Sequence, residues 1–103
     1  MSDEPQVRDN PELSRYEVLV DGEVAGFTEY ATHGDQVDLL HTEVEPKYEG
    51  RGLASRLIGE TLDDLRERGL RAMPYCPFVR KYIGRHPEYV ELIPAEHRGK
   101  FGL

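Results

Sequence analysis

The sequence predicts a small mixed α+β domain with a mainly antiparallel sheet, and three observations carry that prediction. Residues up to 44 fall into runs of alternating apolar and polar side chains separated by glycine-containing turns, the pattern of half-buried strands. After Pro46 the apolar spacing changes to three and four residues, the pattern of an amphipathic helix. Between the two lies "VEPKYEGRGLASRL", residues 44–57, a glycine-rich entrance to that helix. A chain of 103 residues holds one core and is too short for two domains.

The elements follow in order. Pro5, Asn10 and Pro11 interrupt any period, so residues 1–13 are expected to form a loose tail, with the folded domain over 14–94 and a second tail over 95–103. "RYEVLV" sets Tyr16, Val18 and Val20 on one face of a strand, and Asp21-Gly22 is a two-residue hairpin signal. "EVAGFTEYAT" is the second strand. It turns at His33-Gly34-Asp35 into a third, "QVDLLHTEV". In the main helix Leu53, Ala54, Leu57, Ile58, Leu62 and Leu65 form one stripe, and Gly69 is placed to stop it at C′. Gly59 costs about 1 kcal/mol against alanine in a helix interior, which points to close packing on the sheet. "LRAMPYC" is the next strand, Pro77 opens a short second helix over "PFVRKYIGR", and Pro87 ends it. Val90–Ile93 is a short apolar segment.

Composition narrows the function classes. The net charge of −7 argues against nonspecific binding of nucleic acid or anionic membrane, which need a basic footprint, and suits a cationic acceptor or simply a well-hydrated surface. One cysteine, Cys76, excludes an intramolecular disulfide. The acidic start has no apolar signal region, and no run approaches a membrane span, so a cytoplasmic protein is expected. His33, His86 and His97 lack metal-ligand spacing, and no metal is predicted.

The glycine entrance points to a phosphate ligand. A helix start leaves backbone N–H groups without partners and is the positive end of the helix dipole. Gly50 and Gly52 let a phosphate approach without meeting a Cβ atom, and Arg51 and Arg56 lie close in sequence. The Walker pattern is absent because no Gly-Lys-Ser/Thr closes the loop. The dinucleotide fingerprint is poor because it lacks a third glycine and its leading strand belongs to a meander.

These residues resemble the GCN5-related N-acetyltransferases. "VEPKYEGRGLA", residues 44–54, is similar to that family's acetyl-CoA motif, Gln/Arg-x-x-Gly-x-Gly/Ala, with Gly52 and Ala54 at its last two defined positions. Glu49 stands where the family has Gln or Arg; the backbone cradle does not depend on that side chain, and Glu49 is expected to point away or to pair with an arginine. "HTEV" before the loop and "MPYCPFVRKYIGRHPEY" after the helix extend the likeness to the minimal branch of about a hundred residues, over residues 14–94. The resemblance implies a sheet in which two neighbouring strands splay to admit the pantetheine arm. It also implies acetyl-CoA bound by Val44, Gly50, Arg51, Gly52, Leu53, Ala54, Ser55 and Tyr82.

Acetyl transfer needs a neutral amine, stabilisation of an oxyanion and a proton for the leaving thiolate. Cys76, at a strand end and before a helix start that favours thiolate, suits either acyl transfer or proton donation. His41, ending the strand before the loop, is the natural base, and alternation sets it on the face of Leu39 and Glu43, where it would meet Cys76 across the splay. Asp38 is the runner-up base. Tyr82 lies several residues beyond Cys76, and Arg80, Lys81 and Arg85 either hold the 3′-phosphate or offset an acidic surface. The expected function is acetyl-CoA-dependent transfer to a primary amine, on a small molecule or a lysine-containing protein. The alternatives are an acyl-CoA-binding sensor with little turnover and a thiol-redox protein, the latter disfavoured by the lack of a resolving cysteine.

Overall fold

A computed structural model, which describes residues 4–103, shows a five-stranded sheet in the order β1-β2-β3-β4-β5. The strands are β1 (Gln6–Asn10), β2 (Arg15–Val20), β3 (Glu23–His33), β4 (Gln36–Val44) and β5 (Arg71–Pro74). The first three pairings are antiparallel, and β4 pairs with β5 in parallel. Helix α1 (Leu53–Glu67) connects those last two strands, and α2 (Pro77–Arg85) follows β5. The mixed α+β class read from the sequence is the class observed. The meander is joined to a parallel β-α-β unit, so the crossover that the meander had argued against is present, without the third glycine of a dinucleotide site.

Local chemistry accounts for the elements. Val20 pairs with Glu23 across Asp21 and Gly22, both at positive φ (51° and 82°), the combination a tight hairpin needs. In α1, Leu57, Ile58, Leu62 and Leu65 are buried, and α1 packs across all five strands. Gly69 stops the helix at φ 71°: its N–H reaches the Arg66 carbonyl, and the Leu70 N–H reaches back to Leu65, a Schellman closure. A Cβ on Gly59 would lie 2.6 Å from the Tyr82 hydroxyl, so the close packing expected there is against α2 and not the sheet.

Both predicted tails give way to structure. Residues 1–3 lie outside the described residues, but Gln6–Asn10 form the β1 edge, paired with β2 along its whole length. The reason lies in the partners. Glu17, 1% exposed, accepts from Arg8 Nε (3.0 Å), Asn10 Nδ2 (3.1 Å) and Arg15 Nε (2.8 Å), which ties β1 to β2. Asp9 adds a second tie by accepting from the Tyr30 hydroxyl and from Arg68, the C-cap of α1. At the other end, Ala95–His97 and Gly99–Phe101 form 3₁₀ turns, and Phe101 and Leu103 pack against the core. The apolar segment expected at Val90–Ile93 lies mostly in another 3₁₀ stretch, Pro87–Leu92, with Ile93 fully buried just after it. Among the described residues no helix is long and apolar enough to cross a membrane.

Candidate functional site

The site begins where β4 and β5 part. Their ladder has four rungs, Gln36–Arg71 to Leu39–Pro74. The Cys76 N–H then reaches the Leu39 carbonyl at 2.8 Å and closes the pair. Beyond that point β4 continues through Val44 with no β5 residue beside it. Leu40, Tyr75 and Phe78 supply three of the four large apolar side chains left exposed among the described residues, and all three border this opening. The splay implied by the family resemblance is therefore present.

The glycine loop stands at the far end of the opening. Gly50 and Gly52 adopt left-handed φ of 82° and 72°, and neither has any atom within 4 Å of where a Cβ would stand. Gly52 is the N-cap of α1 and has no side-chain cap. Among the described residues no backbone acceptor takes the N–H of any residue from Gly50 to Ser55; the first bond of the helix is Arg56 N–H to the Gly52 carbonyl, at 3.1 Å. Five of these six residues, all but Arg51, line a cleft of about 180 Å³. Val44, Gly50, Gly52, Leu53, Ala54 and Ser55 all line it, together with Tyr48, Glu49 and Phe78. The cradle suits a diphosphate: open space where side chains would intrude, free N–H groups and the positive end of a fifteen-residue helix.

The surrounding charges are arranged differently from the sequence expectation. Arg51 lies over the Tyr48 ring, 5.4 Å from its centroid, beside the cleft rather than in its lining. Arg56 pairs with Glu60 at 2.9 Å and Glu4 at 3.4 Å, so both its contacts are carboxylates. Glu49 lines the cleft and forms no ion pair among the described residues, contrary to the expectation that it points away or pairs with an arginine. The Tyr48 hydroxyl donates to Glu23 at 3.0 Å, which raises the phenol's pKa and lowers that of the carboxyl.

A β-bulge decides which side chains meet Cys76. Glu29 pairs with His41 and Tyr30 with Leu39, so Leu40 is an extra residue on β4. The alternation reverses there. His41 leaves the face of Leu39 and stands 55% exposed, its Nε2 3.4 Å from Glu43 Oε2 and its ring 6.5 Å from that of Phe27. The expected His41–Cys76 encounter across the splay does not form. Thr42 turns inward in its place and lies 3.4 Å from Cys76 Sγ, with Thr28 Oγ1 2.9 Å behind it. Cys76 is buried at 4% exposure and is the N-cap of α2. Adjacent apolar residues in "DLLHTEV" were the one sequence sign that alternation breaks at Leu40.

Two further candidates fall elsewhere. Tyr82 does not line the cleft; it stacks on His86 (4.2 Å between centroids) and rests its hydroxyl over Gly59. Burial raises its phenol pKa, with Asp63 and Glu88 adding to the effect, so it holds its proton more firmly than a free tyrosine. Asp38 is tied to His33 Nε2 at 3.1 Å and to Gln36, toward the β3–β4 turn. Arg80 donates to the Tyr75 carbonyl, while Lys81 and Arg85 form no ion pair among the described residues. No cluster of three potential metal ligands occurs among the described residues.

Comparison with known proteins agrees with this architecture. Residues 15–92 match the family model of the GCN5-related N-acetyltransferases. Protein NATD1 from Gallus gallus and from Homo sapiens are each 42% identical over 57 residues, covering 53% of this chain and 52% and 50% of theirs. The match thus spans about half the length of these curated relatives. The solution structure of a GCN5-like protein from Staphylococcus aureus superposes over 91% of each chain with a TM-score of 0.67 at 16% identity, a likeness of fold. The ribosomal-protein-S18-alanine N-acetyltransferase of Escherichia coli superposes with a TM-score of 0.52 at 26% identity, over 55% of this chain and 37% of its own.

Proposed function

The chain belongs to the GCN5-related N-acetyltransferase family, and from that premise we propose that it transfers the acetyl group of acetyl-CoA to a primary amine. The observation that carries this reading is the run of six unpartnered N–H groups from Gly50 to Ser55 at the mouth of α1. Those donors suit the pyrophosphate. The unpaired edge of β4 from Leu40 to Val44 offers backbone groups to the amides of the pantetheine arm, as a further strand would. An arm laid along that edge brings the thioester to the closed end of the splay, beside Cys76.

Each step of the chemistry then has a group of this chain. The acceptor must arrive neutral, and His41, exposed beside the bulge, takes its proton. N–H groups on the edge of β4 that no β5 residue pairs stabilise the oxyanion as the amine attacks. Cys76 gives its S–H proton to the departing sulfur of CoA, and the proton shed by the new amide nitrogen restores it through solvent. The acceptor is an amine on a small molecule or a lysine-containing protein; that one structural neighbour acts on a ribosomal protein favours the macromolecule.

One observation favours a second reading. His41 and Cys76 stand on opposite faces of β4, which suits a protein that holds acyl-CoA and turns over little. Calorimetric titration of acetyl-CoA into wild type and Gly52→Trp, with acetylation of a lysine peptide followed by mass, separates the possibilities. Acetyl-CoA binding that Gly52→Trp abolishes, with turnover lost in Cys76→Ala, supports the enzyme. The same binding with no turnover supports the sensor. Failure of wild type to bind acetyl-CoA overturns both.

A further inference from the structure

The bulge that turns His41 away does something else: it delivers a hydroxyl to the thiol. Thr42 Oγ1 lies 3.4 Å from Cys76 Sγ and 2.9 Å from Thr28 Oγ1, and Thr28 is fully buried. The three side chains come from β3, β4 and the start of α2 and meet at the point where β4 and β5 part. Tyr16, Thr28 and Thr42 stand in one row across β2, β3 and β4, on the side facing α1. A valine of the same shape would fill either threonine position, and buried hydroxyls cost free energy unless partnered. These two are each other's partners, and the chain they form ends on sulfur.

We propose that Thr42, held in place by Thr28, is a positioning residue that orients Cys76 and receives it in both proton states. The proposal rests on the reading that Cys76 gives a proton to CoA. Hydroxyls rotate about the Cβ–Oγ bond, so the chain runs in either direction with its heavy atoms fixed. With the thiol protonated, S–H donates to Thr42 and Thr42 to Thr28. When the S–H bond of Cys76 breaks and an S–H bond forms on CoA, the chain reverses: Thr28 donates to Thr42, and Thr42 donates to the thiolate left behind. Return of a proton from the amide nitrogen through solvent restores the first state. No atom heavier than hydrogen has to move, and a thiolate in a nearly buried position keeps a donor throughout. A merely structural threonine pair would fix the sheet equally well without its end on sulfur.

The single cysteine allows a direct test. In the full chain the S–H stretching band seen by Raman spectroscopy reports on one thiol alone. Thr42→Val is expected to move that band toward the frequency of an unbonded thiol, Thr42→Ser to leave it in place, and Thr28→Val to move it less. In the acetylation assay, Thr42→Val is expected to lower kcat roughly tenfold to a hundredfold with KM for acetyl-CoA within about twofold, and Thr42→Ser to recover most of the loss. A band that Thr42→Val does not move overturns the proposal, as does a Thr42→Ser variant no better than Thr42→Val. A wild type that neither binds nor consumes acetyl-CoA removes the catalytic step, and the Raman band then still decides whether the hydroxyl chain exists. Retained thermal unfolding in Thr42→Ser and Thr28→Val guards against a folding defect being read as a lost contact.

Discussion

At the β1 end of the sheet one buried carboxylate, Glu17, takes hydrogen bonds from three side chains; at the β5 end, β4 runs on from Leu40 to Val44 paired with β3 on one edge and with no β5 residue on the other. The first region is saturated. Tyr16 donates to Asp64, Arg68 reaches Asp9, Asp64 and the Tyr16 hydroxyl, and Tyr30 donates to Asp9, so that β1, β2, β3 and α1 share one polar network. The second region leaves donors, an open glycine loop and exposed Leu40, Tyr75 and Phe78. Unsatisfied backbone is costly when no water or ligand reaches it. Its concentration at one end, in a chain that elsewhere pairs its polar groups closely, makes that end the one with groups free to take up a ligand.

The contrast breaks most severely if the saturated end proves dispensable. Burial alone would raise the Glu17 carboxyl, but bonds from Arg15, Arg8 and Asn10 outweigh it and hold the pKa below the ordinary 4.5. Glu17→Ala is expected to lose about 2 to 3 kcal/mol, because it strands two guanidinium groups and frees β1. For a domain of this size that is a fall of roughly 10 to 15 °C in Tm, measured by thermal unfolding. Acetyl-CoA affinity should stay within about twofold. The sign with pH follows from the lowered pKa: the contribution is complete above the unfolded-state value and disappears as pH falls through the folded one. Glu17→Gln should accordingly flatten the loss of stability expected of wild type below about pH 4.5.

The open end should give the reverse pattern. Phe78 is 38% exposed and lines the glycine-loop cleft from the first turn of α2. Phe78→Ala removes apolar surface that a bound pantetheine would cover, worth about 1 kcal/mol, or roughly fivefold in acetyl-CoA affinity by calorimetry. Its Tm should change by only a few degrees, since so much of the ring is already in water. A large fall in Tm with unchanged affinity would show that Phe78 belongs to the core and that the opening is narrower than its lining suggests.

How much of this was legible in the sequence depended on how local each cause is. The hairpin at Asp21-Gly22, the α1 stripe and its Gly69 stop, and the glycine loop are written within a few residues, and each was found where the sequence placed it. β1 was missed because "QVRDN" has one apolar residue and sits between prolines; its stability comes from Glu17 and Arg68, which are distant in sequence. The site was half legible. Six of the eight residues expected to hold the cofactor line the cleft and Arg51 and Tyr82 do not, while the meeting of His41 with Cys76 assumed unbroken alternation along β4. One inserted residue, Leu40, reverses every side chain after it, and the register of a bulge is set by the partner strand. Thr42 therefore had no sequence signal beyond its place in "HTEV".

Arg56 tests where the boundary between the two regions runs. Sequence proximity placed it among the phosphate ligands, but its Nε meets Glu60 one helical turn on, and its other contact is Glu4 from the segment before β1. Both pairs are exposed, and such pairs contribute between nothing and about 1 kcal/mol. Arg56→Ala is therefore expected to change stability by less than about 0.5 kcal/mol and acetyl-CoA affinity by less than about twofold. The comparison to make is with Arg51→Ala, because Arg51 rests on Tyr48 beside the cleft with no carboxylate within ion-pair distance among the described residues. If Arg56→Ala costs tenfold in affinity while Arg51→Ala costs little, the guanidinium of Arg56 exchanges Glu60 for phosphate when the ligand arrives. The saturated network would then extend into the first turn of α1 only until acetyl-CoA competes for it.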